Sequence, residues 1–359
     1  MKIATVLGTR PEIIRLSLII KKLDELCDHI LIHTGQNFDR SLSDLFFEEL
    51  GVRKPDHHLE VKADTAAGQI GQILERCEKV FRDEKPDRIL ILGDTNSALC
   101  AIIAKRMGIP VYHMEAGNRC FDDRVPEEVN RRIVDHSSDI LLPYTHRSKE
   151  NLFREGFAAN RVYVTGNPIA EVIEAYMPEI EKSDVLERLN LAEDGYFLAT
   201  IHRAENVDGA ERFAEILTAL NKTAEEYKMP VIVSTHPRTR AKMADQKVEI
   251  HALVQFVEPF GFFDFIKLEQ NAYCLLSDSG TVQEEGAIFG VPSVTVRDVT
   301  ERPETIDCGS NMLSGAKSED LLRAIKVVTT LPPQWGAPDE YLNMSVSDTV
   351  CRVILSYRL

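Results

Sequence analysis

The sequence predicts an α/β protein built from two doubly wound, Rossmann-like domains. Short runs of apolar and β-branched residues alternate with longer helix-like segments, which is the pattern of βαβ units around a parallel sheet buried on both faces. The alternation breaks at Gly166-Asn167-Pro168 and restarts after about Leu191. Two such series separated by a break indicate two domains that face each other across a cleft.

Each predicted strand is a short apolar run. In the first half the runs are KIATVLG (2–8), HILIHTG (29–35), RILILGD (88–94), VYHMEAG (111–117), DILLPYT (139–145) and RVYVTGN (161–167). In the second half they are YFLATIH (196–202), PVIVSTH (230–236), AYCLLSD (272–278) and VPSVTVR (291–297). We therefore expect a first domain over residues 1–167 and a second over residues 168–344.

The end of the chain is predicted to return to the first domain. A Pro-rich connection, LPPQWGAPDE, precedes the segment 345–359, in which apolar residues recur at helical spacing. They are Val346, Val350, Ile354 and Tyr357. We expect this amphipathic helix to pack back on the first domain.

Composition and charge narrow the classes of function. The chain has 359 residues, of which 44% are hydrophobic and 28% are charged, and this balance supplies core material for two domains. Its net charge of −15 argues against nucleic acid or an anionic membrane as the main partner. An anionic small ligand stays compatible, because a local cluster of arginines can outweigh the charge of the whole surface.

The beginning of the chain and its cysteines indicate a cytoplasmic protein. The apolar stretch 1–9 is short for a signal sequence, and Arg10 and Glu12 follow it at once. No apolar run approaches the roughly 18 residues that cross a bilayer. The seven cysteines are scattered, without a Cys-x-x-Cys pair or zinc-like spacing, so we predict buried free thiols and no metal site.

Carboxylates follow two of the predicted strands in the first half. Ligands of open parallel sheets bind outside the carboxyl ends of the strands. The first strand ends in Gly8-Thr9-Arg10, a turn suited to anions, and the next helix carries Arg15. Later strands end in Asp94 and Glu115, whose separation (115 − 94 = 21) is about one strand–helix–strand step. Asp94 and Glu115 are therefore expected side by side at one edge.

Two further acids, Glu127 and Glu128, follow Pro126 at a predicted helix start, where the helix dipole favours carboxylates. Capping explains these two equally well, and it is a serious alternative for Asp94. Glu115 has no local helix to cap, because Ala-Gly follows it. Several carboxylates at one edge suggest proton transfer at carbon or oxygen.

The strand ends of the second half carry a different chemistry. One strand ends in His202-Arg203 and another in His236, which precedes two arginines. A third runs into Asp278-Ser279-Gly280-Thr281, and a Ser-Gly loop that opens a helix presents backbone N–H groups to a phosphate. Glu285 lies one turn after Thr281, within reach of a ribose diol. We interpret this half as a nucleotide diphosphate site.

Two common nucleotide motifs are absent from the sequence. No G-x-G-x-x-G follows a strand, which disfavours a nicotinamide cofactor, and no G-x-x-x-x-G-K-[ST] disfavours an ATPase. From the residues alone we expect an enzyme with acids on one wall and a nucleotide diphosphate on the other.

Seven motifs in order resemble the non-hydrolysing UDP-N-acetylglucosamine 2-epimerases. They are GTRPE (8–12), GDTNS (93–97), MEAG (114–117), PEEVNRR (126–132), HRAEN (202–206), DSGTVQEE (278–285) and RDVTERPE (297–304). The resemblance runs from Gly8 to about Gly309. It implies a GT-B fold, a homodimer, and inversion at C2 of a UDP-N-acetylhexosamine for surface polysaccharide precursors, without added cofactor or metal.

The family mechanism assigns roles to residues by motif position. A base removes the proton at C2 while the C1–oxygen bond to UDP breaks, and UDP adds back to the resulting glycal after reprotonation on the other face. Asp94, Glu115 and Glu127 are the implied acid/base candidates, and His202 is counted with them as catalytic. The implied substrate and UDP contacts are Arg10, Arg15, His236, Phe265, Ser279, Gly280, Thr281, Glu285 and Arg302.

The sequence also departs from the common pattern of the family. The usual lysine after GTRPE is Arg15, which keeps the charge but changes the geometry. HTGQNFD (33–39), MEAGNRCFD (114–122) and STHPRTR (234–240) resemble the branch that converts UDP-2-acetamido-2,6-dideoxy-L-talose to UDP-N-acetyl-L-fucosamine. That substrate, a GT-B glycosyltransferase, a hydrolysing epimerase and a non-catalytic UDP-sugar sensor are the alternatives.

Overall fold

The computed structural model describes residues 1–36, 40–243, 246, 248–331 and 334–357. It confirms the predicted fold class, with two six-stranded sheets in which every neighbouring pair of strands is parallel. Residues 37–39, part of one branch motif, lie outside the described residues. No helix of the described chain is both long and apolar enough to cross a membrane.

The described residues form twelve strands and sixteen α-helices. The strands are β1 (Lys2–Leu7), β2 (Asp28–His33), β3 (His57–His58), β4 (Arg88–Leu92), β5 (Val111–Met114), β6 (Ile140–Leu142), β7 (Phe197–Thr200), β8 (Val231–Ser234), β9 (Val254–Val257), β10 (Cys274–Ser277), β11 (Ser293–Thr295) and β12 (Asn311–Leu313). The helices are α1 (Arg10–Leu26), α2 (Arg40–Glu49), α3 (Ala66–Glu84), α4 (Cys100–Arg106), α5 (Pro126–His136), α6 (His146–Arg154), α7 (Ile169–Glu181), α8 (Val185–Arg188), α9 (Ala204–Val207), α10 (Ala210–Tyr227), α11 (Pro237–Met243), α12 (Phe262–Gln270), α13 (Gly280–Phe289), α14 (Pro303–Asp307), α15 (Ser318–Thr330) and α16 (Val346–Leu355).

Both sheets have the same doubly wound topology. The first has the order β3-β2-β1-β4-β5-β6, and the second has the order β9-β8-β7-β10-β11-β12. The strand order reverses between β1 and β4 in one sheet and between β7 and β10 in the other. Loops at such a reversal point leave in opposite directions and open a crevice at the carboxyl ends of the strands, which is where ligands bind.

The chain folds as two compact units, Met1–Ala175 with Glu340–Leu359, and Tyr176–Asp339. The sequence predicts the crossing at residue 167, whereas this division falls inside α7. Gly166 and Asn167 are part of the first unit, since the backbone N–H of Asn167 donates to the Glu340 carbonyl at 2.8 Å. Gly166 has a φ of +87°, and a Cβ there would lie 2.8 Å from Asn343. Because of this close packing, Gly166 and Asn167 stay with the first unit, and the chain passes to the second unit further on, within α7.

Helix α16 packs on α1 within the first unit. The Lys22 ammonium of α1 donates to the Ser347 hydroxyl at 2.7 Å and pairs with Asp348 at 2.6 Å. Arg88, at the start of β4, donates to the carbonyls of Ile354 and Tyr357. Polar contacts thus hold both ends of the returning helix.

One predicted strand, RVYVTGN, is wrong. In this segment Val162 makes a single parallel bridge to Leu141, and no regular strand forms. Conversely, β3, β9 and β12 have no counterpart among the predicted strands. These three lie at sheet edges, where a strand has a neighbour on one side only. An edge strand does not need the continuous apolar run of a central strand, so the pattern does not reveal it.

The core of the first sheet shows why its central strands were recognisable. Alternate residues of β1, such as Ala4 and Val6, pack with Ile30 and Ile32 of β2 against α3 and α4. The intervening residues, including Ile3 and Leu7, are also fully buried. A strand buried on both faces reads as an unbroken apolar run.

Candidate active site

The turn after β1 is closed by Glu12, a residue that the sequence did not single out. Its carboxylate accepts hydrogen bonds from the backbone N–H groups of Gly8 and Thr9 at 2.9 and 2.7 Å and from the Thr9 hydroxyl at 2.8 Å. It also accepts from the Thr95 hydroxyl at 3.0 Å. Glu12 therefore links the turn that carries Arg10 to the turn after β4. The Thr-x-x-Glu spacing of a capping box was the signal available in the sequence.

Burial raises the pKa of Glu12 from 4.5 to about 7, although hydrogen bonds from Gly8, Thr9 and Thr95 oppose the shift. Because the folded pKa is raised, the neutral carboxyl contributes stability that is fully present below about pH 4.5. That stability is lost as the pH rises through about 7.

Glu12→Gln cannot ionise, so its stability relative to the wild type is expected to rise between pH 5 and pH 8, by up to about 3 kcal/mol. Urea unfolding of both proteins across this pH range measures the difference. Glu75→Gln, at an exposed position of α3, is the control, and its difference from the wild type should stay nearly constant. A Glu12→Gln difference that is equally flat would contradict the expectation.

Asp94 and Glu115 follow the neighbouring strands β4 and β5, as the sequence predicts. The strands are in parallel register with Leu92 opposite Met114, and the Gly93 N–H donates to the Met114 carbonyl at 3.0 Å. The two acids therefore stand at the same edge of the sheet, next to the point where the strand order reverses.

Each of these acids has an arginine partner. Arg15 of α1 donates from Nη1 to Oε2 of Glu115 at 2.7 Å, and both side chains are buried. Arg131 of α5 donates from Nε to Asp94 at 2.8 Å, and Asp94 is half-buried. An ion pair favours the charged carboxylate, which is the form that accepts a proton. The arginines thus hold two bases at one edge.

The structure separates Glu127 from Glu128. Glu128 is fully buried and accepts from the backbone N–H groups of Cys120 and Phe121, each at 3.0 Å, and from Arg131 at 2.8 Å. Burial would raise the pKa of Glu128, but these contacts lower it below its usual value. Glu128 therefore shapes the loop before α5. Glu127 is half-buried in the first turn of α5.

In the second unit, Asp278 organises the reversal point between β7 and β10. It is fully buried and accepts from the backbone N–H groups of His202 and Arg203 at 3.0 and 2.9 Å, while His202 Nδ1 lies 3.1 Å from it. Burial would raise the pKa of Asp278, but the charge and hydrogen bond of His202 and the contacts of Arg203 lower it to about 2. Asp278 was visible as the last residue of its run and was not singled out.

The predicted phosphate loop forms the start of α13. Ser279 is the N-cap, and its hydroxyl accepts from the Thr281 N–H at 3.3 Å. Gly280 opens the helix, and a Cβ there would lie 2.9 Å from the Glu301 carboxylate and 3.7 Å from the Arg302 guanidinium. His202 and His236 lie near each other, with ring centroids 5.8 Å apart. The N–H groups at the start of α13 and the two histidines are thus hydrogen-bonding groups suited to an anion in this unit.

The remaining predicted contacts are more deeply set. Arg302 is buried, and its guanidinium pairs with Glu284 of α13, the helix that the predicted phosphate loop opens. Glu285 is buried, and it faces Glu269 of α12. Burial, together with the charge and hydrogen bond of Glu285, raises the pKa of Glu269 well above its usual value. Phe265 is half-buried against the core between α12 and the sheet.

The sequence predicts no metal site, and His, Cys, Asp and Glu are the side chains that could ligate a metal ion. Within the ranges that the structure describes, no group of three or more His, Cys, Asp or Glu side chains is arranged to hold a metal ion. All seven cysteines are free thiols, and five are buried as predicted, whereas Cys27 and Cys308 are half-buried.

Comparisons with known proteins agree with this geometry. The family model described as UDP-N-acetylglucosamine 2-epimerase matches residues 21–355. The UDP-N-acetylglucosamine 2-epimerase of Methanocaldococcus jannaschii is 40% identical over 347 residues, which cover 94% of this chain and 95% of that protein. The UDP-2,3-diacetamido-2,3-dideoxy-D-glucuronate 2-epimerase of Pseudomonas aeruginosa is 38% identical, covering 91% and 92%.

A solved structure shares the whole fold. The crystal structure of the M. jannaschii UDP-GlcNAc 2-epimerase in complex with UDP-GlcNAc and UDP superposes with a TM-score of 0.93 at 39% identity, and the match covers 99% of each chain. This similarity supports the GT-B class that the sequence implied.

Proposed function

The chain belongs to the non-hydrolysing UDP-N-acetylglucosamine 2-epimerase family, and we propose that it inverts C2 of UDP-N-acetylglucosamine by elimination and re-addition of UDP. The observation that carries the proposal is the pair of arginine-held carboxylates, Asp94 and Glu115, at the ends of adjacent strands. A glycosyltransferase uses a similar nucleotide site but has no need for two bases at one edge.

The residues take complementary parts in this reaction. A carboxylate accepts the C2 proton, the C–H electron pair forms the C1–C2 double bond, and the C1–oxygen pair leaves with UDP. A second acid then returns a proton to the other face of C2, while the UDP oxygen bonds to C1 again. Asp94, Glu115 and Glu127 supply the proton steps, and Arg10 and His202 stabilise the charge on the leaving diphosphate.

Apart from Arg10, the nucleotide contacts that we propose are residues of the second unit. The N–H groups at the start of α13, with Ser279 and Gly280, bind phosphate, and Glu285 accepts from the ribose hydroxyls. We assign His236, Thr281 and Arg302 to the polar surroundings of the diphosphate. Phe265 would lie near the uracil ring. Arg15 acts through Glu115, whose charge it balances.

The test is a proton NMR time course in heavy water with UDP-N-acetylglucosamine and no acceptor. Proton exchange between the carboxylic groups and solvent is expected to place deuterium at C2 of the epimer, and at C2 of recovered substrate as the reaction reverses. Formation of free N-acetylmannosamine and UDP would indicate a hydrolysing epimerase. Binding of the UDP-sugar without any turnover would indicate a sensor. An epimer that retains protium at C2 would overturn the mechanism.

The same assay decides between sugars. The panel includes UDP-2-acetamido-2,6-dideoxy-L-talose, because of the branch motifs, and UDP-2,3-diacetamido-2,3-dideoxy-D-glucuronate, because a relative at 38% identity carries that name. The substrate with the highest kcat/KM is the one to assign. A homodimer and a cytoplasmic location, expected from the resemblance and from the scattered cysteines, complete the proposal, and solution mass and cell fractionation test them.

A further inference from the structure

A buried histidine lies beneath the ends of β4 and β5. His113 belongs to β5 and is 1% exposed. Its Nε2 lies 2.8 Å from the carbonyl oxygen of Gly93, the residue that immediately precedes Asp94. Its Nδ1 lies 2.8 Å from Oδ1 of Asp135 on α5, which is fully buried. His113 therefore connects the turn of one candidate base to a helix behind the sheet.

Asp135 connects to the turn of the other base. Its second oxygen, Oδ2, accepts from the backbone N–H of Gly117 at 3.2 Å and from Nη2 of Arg119 at 2.7 Å. Gly117 lies two residues after Glu115 and has a φ of +79°, and a Cβ there would come within 2.3 Å of the Ser148 carbonyl. The backbone at this point is thus confined, and Asp135 holds its N–H group.

The groups around His113 determine which ring hydrogens the bridge needs. Burial would raise the pKa of Asp135, but the hydrogen bond and charge of His113 and the charge of Arg119 hold it below the usual value. Asp135 and the Gly93 carbonyl are both acceptors in this bridge, so the bridge requires a hydrogen on each ring nitrogen of His113. Arg119 also pairs with Glu155 at 2.6 Å, so one guanidinium joins Asp135 to a second carboxylate.

We propose that His113 and Asp135 form a positioning pair that ties the Asp94 turn to the Glu115 turn and keeps both carboxylates at the spacing that proton transfer at C2 requires. This inference rests on the proposed epimerase function. The pair touches no reacting atom, and each end of it stops within two residues of a carboxylate. Buried ion pairs add little net stability compared with apolar packing, so stability alone is a weak reason for this arrangement.

The variant His113→Gln removes the double bridge, because one amide donor reaches one of the two acceptors. We expect kcat with UDP-N-acetylglucosamine to fall about 10-fold or more, the size of effect seen when a residue that positions a functional group is removed. KM and the Kd of UDP should stay within about twofold, because the predicted nucleotide contacts other than Arg10 and Arg15 lie in the other unit.

Arg88→Gln is the matched control. Arg88 is also buried and donates twice, but it lies at the opposite end of β4 and holds the chain near Ile354 and Tyr357. Arg88→Gln should lower Tm about as much as His113→Gln does, but it should leave kcat near the wild-type value. Equal losses of kcat in the two variants would overturn the inference, since they would follow stability alone.

A second measurement decides the case even if His113→Gln fails to fold. Nitrogen-15 NMR of histidine-labelled wild-type protein at neutral pH should show two slowly exchanging ring N–H groups on His113. A ring with a single N–H would overturn the bridge. Wild-type protein that epimerises while His113→Gln keeps full kcat refutes this inference alone, whereas a wild type that epimerises no UDP-sugar refutes the proposed function as well.

Discussion

Arg15→Met is expected to lower the free energy of unfolding by about 3–5 kcal/mol at neutral pH. The side chains of Arg15 and Glu115 are 2% and 8% exposed and meet at 2.7 Å. Methionine keeps an unbranched chain of similar length but leaves the Glu115 carboxylate buried without its guanidinium. Taking an unneutralised charge out of water is costly, so the loss should far exceed that of an exposed pair. Urea unfolding measures it.

Two further variants isolate the charge from the packing. Arg15→Lys restores the residue that the resemblance led us to expect and should recover most of the stability, though a single ammonium cannot reproduce the planar guanidinium. In the double variant Arg15→Met, Glu115→Gln, no charge is left unpaired, so the loss should be smaller than in Arg15→Met. A single-variant loss below about 1 kcal/mol, or a double variant that is less stable still, would show that the pair is not what holds this edge.

The sequence was sufficient to predict the central strands of both sheets. Strands such as β4, RILIL, are buried at every position and read as apolar runs. The edge strand β3 has only two residues, His57 and His58, and neither is apolar. The segment 161–167 has the alternation of a strand, but in it only Val162 forms a bridge, to Leu141. Sequence patterns report burial, and burial is a property of central strands more than of edges.

The site was predictable where chain order alone places residues together. Asp94 and Glu115 end consecutive parallel strands, so they meet at one edge whatever the side chains do. Their partners are different. Arg15 lies 100 residues from Glu115 along the chain, and nothing in its spacing indicates which carboxylate it meets. Glu12 and His113 escaped notice because each is defined by the buried groups around it, which become visible only once the strands are assembled.

Asp94→Asn and Glu115→Gln should each slow epimerisation about 10²-fold or more, while the Kd of UDP stays near the wild-type value. Each amide keeps the size of the side chain and an oxygen that accepts from Arg131 or Arg15. Because Glu115→Gln leaves the buried Arg15 cation without its counter-charge, urea unfolding of both variants is measured beside their rates, and rates are compared only under conditions where each variant is folded. The amide does not take up the C2 proton. By contrast, His202→Ala should weaken both UDP binding and turnover, because it removes a proposed hydrogen bond to the leaving group.

Rates for Glu127→Gln belong in the same series, since Glu127 is the third acid/base candidate. A rate within about fivefold of the wild type for both Asp94→Asn and Glu115→Gln, with Kd unchanged, would remove these two carboxylates from the proton steps.

Deuterium exchange distinguishes the roles of the two carboxylates. If Asp94 and Glu115 serve opposite faces of C2, a variant that lacks the acid for the second face still removes and returns the proton on the first. It should therefore wash deuterium into recovered UDP-N-acetylglucosamine at C2 while forming little epimer. The variant that lacks the first base should show neither exchange nor epimer from the same substrate, and the pattern should invert when the epimer is supplied instead. Loss of both exchange and epimer formation in one variant only, from either substrate, would mean that one group serves both faces. Opposite patterns in the two variants would assign each carboxylate to its face of C2.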